Sequence, residues 1–426
     1  MLAAIARVCD SQSFILGPEV EAFEQEIAAL TGAAWAVGCA SGTEALWLAL
    51  VAAGVKPGDS VITTAFSFFA SASAIVRAGA TPVFVDVDPG TLNLDATLVG
   101  RRLRDQQLRM PIGTSLHTSL RTSLRTSRRT TLGTTEPGTV RAILPVHLYG
   151  QCADMEEFDR IVAEHAAEQA AEHAQEFGVA IVEDAAQAIG AEWNGRGAGS
   201  LGVTAAFSFY PTKNLSAYGD AGIVTTSSPR MAEHMRQLRN HGSPRRYYHH
   251  EFGWNGRMDA IQAAVLRVKL AHIADWNQQR RQHAATYDRM FADSGLTSNQ
   301  TSNASTKQIS KQITKQISRR GSDQSAAPVR LLSRSPQATH VFHQYVIRAQ
   351  RRDELRRFLA DRKIGSEVYY PLPLHLQPAF SYLGLKAGDM PVSEQAAKEV
   401  LALPMFPELT EAEIGYVVES IADFYS

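Results

Sequence analysis

Short apolar runs alternate with amphipathic stretches from about residue 18 to 230. The runs read SVITTAF, ATPVFVDVD, RAILPVHLYG, VAIVEDAAQA, AAFSFYP and GIVTT. Continuous apolar runs rich in valine and isoleucine, separated by helical patterns, are typical of buried strands joined by crossover helices. The pattern therefore predicts an α/β fold with a mainly parallel sheet.

The pattern changes near residue 270. A long helical stretch, MDAIQAAVLRVKLAHIADWNQQ and onwards, is followed by strands and helices in mixed order, such as HVFHQYVIRAQ and RRDELRRFLADRKIG. We therefore expect two domains. An N-terminal segment and a large α/β domain would cover residues 1–270, and a smaller C-terminal α+β domain would cover residues 271–426.

Two low-complexity segments of tetrad repeats, at 107–139 and 297–328, interrupt this organisation. The first contains TSLHTSLRTSLRTSRRTT and the second TSNASTKQISKQITKQISRRGS. Their Ser/Thr content and few aromatic residues favour disordered surface insertions, because lengthening a loop costs little closure entropy. A helix in the second segment would carry a lysine stripe and an isoleucine stripe, so a membrane- or partner-binding helix is the alternative.

Composition narrows the class of protein. The 426 residues are 45% hydrophobic and 20% charged, and 42 basic residues balance 43 acidic ones. This balance gives no sign of a nucleic-acid-binding surface, and no run reaches the roughly 18 apolar residues of a membrane span. The cysteines, Cys9, Cys39 and Cys152, lack the spacing of a disulfide framework or a metal site. We expect a cytoplasmic protein without a metal ion.

Candidate chemistry gathers at the carboxyl ends of the predicted strands, where open α/β sheets place their ligands. SFYPTKNLSAYGDAG puts Lys213 in the loop after one strand, and VEDAAQAIGA puts Asp184 at the end of another. ASGTEAL places Gly42 and Thr43 in a turn that opens a helix, whose N–H groups favour an anion such as phosphate. The same turn would also serve as an ordinary helix cap.

Taken together, these groups suit a cofactor with an aldehyde, a phosphate and a ring nitrogen. Pyridoxal 5'-phosphate (PLP) needs a lysine amine for the aldehyde, a helix N-terminus and a hydroxyl for the phosphate, and a carboxylate for the protonated nitrogen. A free lysine is almost fully protonated at neutral pH, and neighbouring cationic groups lower its pKa and release the nucleophile. The residues thus predict a PLP site.

The chain also resembles the DegT/DnrJ/EryC1/StrS family of PLP-dependent sugar aminotransferases. The resemblance covers nearly the whole chain apart from the two repeat segments. It implies PLP as cofactor and the PLP-dependent transferase fold type I, which is aspartate-aminotransferase-like. The motifs that carry it follow the family order: GPEVEAFEQEIAALTG, ASGTEAL, TTAFSFFASASAI, PVFVDVDPGTLNLD, ILPVHLYGQCADM, VEDAAQAIGA, SFYPTKNLSAYGDAG, GWNGRMDAIQAAVLRVKL and YYPLPLHLQPAF.

The resemblance implies roles for individual residues. Lys213 would condense with the cofactor and then move a proton, and Asp184 would pair with the pyridine nitrogen. The remaining cofactor contacts would come from Gly42, Thr43 and Ser208 at the phosphate, Gln187 at the phenolic oxygen, and Phe68 on the ring, with Phe66 and Phe69 as alternatives. The family's Gly-Asp-Gly-Gly stands here as Gly-Asp-Ala-Gly. Ala221 fits unless that position needs a positive φ.

The resemblance further implies a homodimer with shared active sites. Asn255 would reach the partner's cofactor phosphate, and Arg257 would reach towards the partner's substrate. A second group either meets the sugar nucleotide or forms a packed interface: Arg245, Arg246, His249, His250 and His375.

The implied reaction moves an amino group from L-glutamate to a keto group of a nucleotide-linked sugar. Lys213 excludes the dehydratase relatives that have a histidine there, and three scattered cysteines exclude the iron–sulfur relatives. Members acting on 3-keto sugars linked to dTDP or UDP are the most similar in sequence. The alternatives are a 4-keto sugar aminotransferase and a non-catalytic protein that binds PLP or a nucleotide sugar as a regulator.

Overall fold

The structure, a computed structural model, describes residues 1–109, 138–172, 178–297 and 327–426. The two repeat segments predicted at 107–139 and 297–328 lie almost entirely outside these ranges.

Helices and strands alternate over most of the described chain. The strands are β1 (Trp35–Cys39), β2 (Ser60–Thr64), β3 (Thr81–Val85), β4 (Val140–Leu144), β5 (Ala180–Asp184), β6 (Glu192–Trp193), β7 (Arg196–Gly197), β8 (Thr204–Ser208), β9 (Gly222–Thr226), β10 (Val329–Leu331), β11 (Ala338–Thr339), β12 (Tyr345–Ala349) and β13 (Val400–Leu403). The α-helices are α1 (Leu2–Ser11), α2 (Pro18–Thr31), α3 (Gly42–Ala52), α4 (Phe69–Arg77), α5 (Ala96–Arg109), α6 (Met155–Glu172), α7 (Pro229–Leu238), α8 (Ala260–Leu270), α9 (Ile273–Asp293), α10 (Arg352–Asp361), α11 (Pro391–Glu399) and α12 (Glu411–Tyr425). Short 3₁₀ turns lie at Leu148–Gly150, Leu374–Leu376 and Pro378–Leu383.

The central sheet has seven strands in the order β3-β2-β4-β5-β8-β9-β1. Neighbours from β3 to β8 pair in parallel, and only β9 runs against the others. Its strands are almost wholly buried, as their continuous apolar runs require when helices cover both faces. The predicted α/β fold with a mainly parallel sheet is confirmed.

The antiparallel strand β9 determines which residues meet at the edge of the sheet. Its first residue, Gly222, pairs with Cys39 at the end of β1 and with Ser208 at the end of β8. A Cβ on Gly222 would lie 2.3 Å from the carbonyl oxygen of Ser41, so glycine lets the turn that opens α3 pack directly over this point. The helix N-terminus is thereby brought to the carboxyl end of β8.

The C-terminal part forms a second, smaller sheet in the order β10-β12-β13, paired antiparallel. Helix α9 packs on it through Tyr287, whose ring stacks on that of Tyr345 with centroids 4.6 Å apart. The same apolar cluster includes Phe66 and Tyr149 from the central-sheet part. One continuous core therefore crosses the predicted boundary at residue 270, and the division into two domains stays a prediction.

Candidate functional site

Asp184 ends β5 with its carboxylate enclosed by protein. The side chain is 3% exposed, and its Oδ2 accepts a 2.6 Å hydrogen bond from the hydroxyl of Ser71 on α4. The amide of Ala186 donates to Oδ1 at 3.3 Å. Burial raises the pKa of this carboxyl above its ordinary value, against the opposing effect of the two donors. The carboxylate is therefore held in one orientation by α4.

Lys213 lies in the loop that follows β8, as the sequence predicts. Its amide donates to the carbonyl of Tyr210 at 2.8 Å, which closes a turn of the loop. Burial of the ammonium lowers the pKa of Lys213 to about 8, and the nearby Asp184 carboxylate partly opposes this. A large fraction of this amine is therefore unprotonated, and nucleophilic, at mildly alkaline pH.

Gln187 is held by two tyrosines from distant parts of the chain. The amide of Tyr149 donates to its Oε1 at 2.6 Å, and its Nε2 donates to the hydroxyl of Tyr370 at 3.1 Å. Tyr149 has a φ of 58° inside the 3₁₀ turn after β4, which aims its amide at the glutamine. The Gln187 side chain is therefore fixed before any ligand arrives.

Gly42, at the N-terminus of α3, packs directly against Ser208 at the end of β8. A Cβ on Gly42 would lie 2.5 Å from Cβ of Ser208 and 2.9 Å from its Oγ, so only glycine fits. Ser41 caps the helix, its Oγ accepting from the amide of Glu44 at 3.2 Å. The first N–H groups of a helix have no acceptor within the helix, so Gly42 and the exposed Thr43 lie where an anion is favoured.

The aromatic residues before α4 differ in exposure. Phe68 is 58% exposed, whereas Phe66 is fully buried in the core. The Phe69 ring packs on that of Phe380 at 5.3 Å. Tyr370 approaches the Phe68 ring with centroids 6.2 Å apart. Of the three phenylalanines, Phe68 offers the largest free face, and its role on the cofactor ring stays a prediction.

Asn255 and Arg257 lie beside the chain that enters α3. Between them, the carbonyl of Gly256 accepts from the amide of Ala40 at 3.0 Å. Arg257 Nη1 donates to Oδ1 of Asn240 at 2.8 Å, and Asn255 is exposed. Within one chain these residues thus border the same helix N-terminus, and their reach into a partner's site stays a prediction.

His375 differs from the other predicted substrate-binding residues in its burial. It is 1% exposed, and its Nε2 lies 3.1 Å from Oε1 of Glu394. Arg245, Arg246, His249 and His250 are all exposed, and Arg245 lies over the ring of Tyr248 at 5.1 Å. In this structure His375 offers almost no surface to a substrate, and its predicted contact remains untested.

The described part of the chain has no metal-binding cluster and no membrane-spanning helix. Over the described ranges, no three His, Cys, Asp or Glu side chains are grouped so that they could hold a metal ion. None of the helices in the described part of the chain is both long enough and apolar enough to cross a bilayer. Cys9, Cys39 and Cys152 are all free thiols.

Comparison with known proteins places this chain in a family. The sequence model of the DegT/DnrJ/EryC1/StrS aminotransferase family matches residues 1–422. The chain belongs to this family. The predicted family membership, aminotransferase activity and PLP-dependent transferase fold are thereby confirmed.

Individual members of the DegT/DnrJ/EryC1/StrS family align over nearly their full lengths. A "Pleiotropic regulatory protein" of Geobacillus stearothermophilus is 44% identical over 425 residues, covering 100% of this chain and 94% of the relative. The "dTDP-3-amino-3,4,6-trideoxy-alpha-D-glucose transaminase" of Streptomyces venezuelae is 37% identical, and the alignment covers 99% of this chain and 91% of the relative. The crystal structure of S. venezuelae DesV in complex with a ketimine intermediate has a TM-score of 0.78 and 36% identity, covering 99% of this chain and 93% of that one.

The fold accommodates Ala221, which stands where the family's Gly-Asp-Gly-Gly pattern has a glycine. Ala221 has no positive φ, packs at 1% exposure in the core, and accepts through its carbonyl from the amide of Phe209 at 2.9 Å. Gly219, two residues earlier, has a φ of 153° and keeps the glycine that its backbone needs. The extra methyl group therefore fits the family's turn.

Sequence reasoning missed two residues of this candidate site. Ser71, which orients Asp184, lies in the quoted motif TTAFSFFASASAI, and Tyr370 lies in YYPLPLHLQPAF. The sequence identifies both motifs, but serine and tyrosine hydroxyls are too common for these two to stand out. Only the fold brings Ser71 and Tyr370 to Asp184 and Gln187.

Proposed function

We propose that this chain is a PLP-dependent aminotransferase that moves an amino group from L-glutamate to a keto group, at C3, of a nucleotide-linked sugar. One observation carries the proposal: Lys213, with its pKa lowered to about 8, lies at the same sheet edge as the Asp184 carboxylate and the contact between Gly42 and Ser208. An activated amine, a buried carboxylate and an anion-binding helix terminus together match the demands of PLP.

The donor set fits PLP residue by residue. The free N–H groups at Gly42 and Thr43, with the Ser208 hydroxyl that packs against Gly42, would take the phosphate. Asp184 would pair with the ring nitrogen and Gln187 with the phenolic oxygen, each already oriented by protein hydrogen bonds. Phe68 would cover the ring. Asn255 of a partner subunit would add to the phosphate site.

The residues of the chain have separate tasks in the reaction. PLP, when bound, supplies an electron-withdrawing ring that stabilises negative charge on the substrate carbon. The Asp184 carboxylate, held by Ser71, would keep a proton on the ring nitrogen of PLP. Lys213 Nζ would take a proton from the α-carbon of the amino donor and, in the second half of the reaction, deliver a proton to the former keto carbon of the acceptor. Its lowered pKa places both protonation states within reach near neutral pH.

The names of the relatives support the substrate. The Streptomyces venezuelae relative is named as a transaminase of a dTDP-linked 3-amino sugar, and the alignment spans 99% of this chain. We therefore assign the keto position to C3 and a dTDP- or UDP-linked sugar as acceptor. Amination at C4 is the alternative within the same reaction.

A regulatory protein is the second candidate function. The Geobacillus stearothermophilus relative carries a regulatory name and is 44% identical. A protein that only binds PLP or a nucleotide sugar has no need of a lysine with a lowered pKa opposite a buried carboxylate. The set of Lys213, Asp184, Gln187 and Ser208 is complete here, which favours the enzyme.

We further propose a homodimer with shared sites, working in the cytoplasm. The exposure of Asn255 supports the shared sites, because an exposed side chain can contact a partner subunit, as the family resemblance implies. The free thiols of Cys9, Cys39 and Cys152 suit a reducing compartment.

The first experiment is the visible absorption spectrum of the purified chain with added PLP, before and after L-glutamate. We expect a visible band from lysine-bound cofactor, its loss with glutamate, and release of 2-oxoglutarate. Lys213→Ala should fold and give no band. A band that glutamate leaves unchanged would refute the donor or favour the binding protein, and no band in the wild type would refute the role of Lys213. Assays with 3-keto and 4-keto nucleotide sugars then decide the position.

A further inference from the structure

Asn214, the residue directly after Lys213, makes three buried hydrogen bonds. Its Nδ2 donates to Oδ1 of Asn277 at 2.9 Å and to the carbonyl of Val341 at 3.1 Å, and its Oδ1 lies 3.1 Å from Nδ1 of His343. All three side chains in this group are at most 9% exposed. The backbone next to the reactive lysine is therefore tied to two distant segments of the chain.

Asn277, on α9, connects the group to the loop after β5. Its Nδ2 donates to the carbonyl of Ile189 at 2.9 Å. The next residue, Gly190, has a φ of 77°, and a Cβ there would lie 2.8 Å from that same Nδ2. This loop also carries Gln187. Through one asparagine pair, the loop of Lys213 and the loop of Gln187 are joined to the same helix.

The hydrogen-bond directions determine the tautomer of His343. Asn214 donates through Nδ2 to two carbonyl-type oxygens, so the atom facing His343 is its acceptor Oδ1. His343 must therefore donate from Nδ1, which leaves Nε2 unprotonated in the neutral ring.

His343 stays neutral because of its surroundings. Burial holds its pKa well below the usual range, and two cations facing it lower it further: the Lys213 ammonium from the loop after β8 and the Arg280 guanidinium from α9. The ammonium of Lys213 thus has a neutral ring, not a third positive charge, on this side.

We propose that Asn214, Asn277 and His343 form a positioning cluster that fixes the Lys213 loop against the loop bearing Asp184 and Gln187. Each Asn side chain is hydrogen-bonded at both its oxygen and its nitrogen, and a buried network of this kind is rigid and specific. The cluster touches neither cofactor nor substrate in this role. It acts on Lys213 through the neighbouring Asn214. The proposal rests on Lys213 being the reactive amine.

The cluster has a measurable effect on the lysine. Holding the loop in place keeps the ammonium away from water, and loss of water is the main cause of the lowered pKa of Lys213. If the loop relaxes, the ammonium becomes hydrated and its pKa rises towards that of an ordinary lysine. The amine then becomes less reactive at neutral pH.

The test measures Lys213 itself in the full-length protein after removal of PLP. The rate of its reductive methylation, followed by mass spectrometry from pH 6 to 11, should have a midpoint of about 8 in the wild type. His343→Leu removes the donor to Asn214 and should raise the midpoint by about one pH unit, so that about tenfold less amine is reactive at pH 7. His343→Gln retains a donor and should restore the wild-type midpoint.

The matched control is Asn93→Ala. Asn93 is also a buried asparagine with three hydrogen bonds, to the backbones of Leu148, Gln151 and Cys152, and none to the Lys213 loop. It should lower the melting temperature without moving the midpoint. The proposal is overturned if His343→Leu also lowers the melting temperature without moving the methylation midpoint of Lys213. Should that variant not fold, Asn277→Ala tests the same point with the same expected rise. A wild type that gives no band with PLP refutes the proposed function, and the methylation midpoints still decide the cluster.

Discussion

Ser71 Oγ donates a 2.6 Å hydrogen bond to Oδ2 of Asp184, joining residues 113 positions apart. Ser71 lies in the first turn of α4, whose N-cap is Phe68. The helix that carries the predicted ring-stacking residue therefore also orients the predicted ring-nitrogen partner. Movement of α4 would displace both at once.

The buried carboxylate of Asp184 makes the PLP-free protein less stable at neutral pH. Its pKa is raised by burial, so the folded state holds the proton more tightly than the unfolded state, and the free energy of unfolding falls as pH rises through the folded pKa. Asp184→Asn should stabilise the PLP-free protein at pH 8 by about 1 kcal/mol, and activity should be lost. Thermal unfolding should show this gain shrinking at pH 4. Asp220 is exposed. If Asp220→Asn raised the free energy of unfolding by the same amount, burial of Asp184 would not be the cause.

The same substitution should change the reactivity of Lys213. The Asp184 carboxylate raises the pKa of the lysine above the value that burial alone would give. In Asp184→Asn, the midpoint for reaction of the amine with PLP should therefore fall below about 8. Stopped-flow absorbance across pH 6 to 10 measures it, and a midpoint equal to or above that of the wild type would count against the pairing.

A methyl group at Gly42 should block phosphate binding. Its Cβ would lie 2.5 Å from Cβ of Ser208, so the helix terminus and the strand end must separate. Gly42→Ala should weaken PLP binding at least about tenfold, or about 1.4 kcal/mol, as measured by fluorescence titration. Gly365→Ala is the matched control, since a Cβ there meets nothing within 4 Å. Equal affinities in the two variants would show that the phosphate binds elsewhere.

Shared sites in a homodimer predict complementation between inactive chains. Lys213→Ala and Arg257→Ala homodimers should each have little activity. In a mixed dimer, one site combines the wild-type Lys213 of one chain with the wild-type Arg257 of its partner. Random mixing should therefore restore about a quarter of wild-type activity. If Arg257 serves its own chain's site, mixing restores nothing, and size-exclusion chromatography separately reports whether a dimer forms.

The ion pair of Arg239 with Glu24 should contribute strongly to stability. Both residues are buried, and Arg239 Nη1 also donates to the carbonyl of Gly38 on β1 at 2.6 Å. Arg239→Ala leaves the buried Glu24 carboxylate without its countercharge, still accepting from the amide of Gly38, and should cost about 3–5 kcal/mol of unfolding free energy. Urea unfolding measures the loss. Arg289→Ala breaks an exposed pair with Glu411 and should cost under about 1 kcal/mol. Comparable losses would contradict the role of burial.

Much of the central sheet and of the site could be predicted from the sequence. Buried parallel strands leave continuous apolar runs, and residues at their carboxyl ends must meet at one edge, which is how Asp184 and Lys213 could be paired. The antiparallel direction of β9 could not be predicted from its apolar run. GIVTT is as apolar as a parallel strand, and strand direction depends on the path of the connecting loop.

The residues that orient the site were beyond sequence reasoning for a different reason. Ser71, Tyr370 and His343 act through hydrogen bonds to partners more than 100 positions away, and their residue types are common. For the predicted substrate residue His375, the sequence predicts a place near the site but not the direction of the side chain. Its motif places it near the site, but whether its ring faces the cleft or Glu394 depends on the packing of α11.

Helix α5 ends at Arg109 and β4 begins at Val140, which pairs with Ser60 at the start of β2. The chain thus enters β4 at the margin of the sheet opposite Asp184 and Lys213, the full length of a strand away. A group attached where β4 begins is therefore separated from the chemistry by the length of that strand. A fluorescent or affinity label attached at the exposed Thr139, beside the start of β4, should therefore leave transamination unaffected.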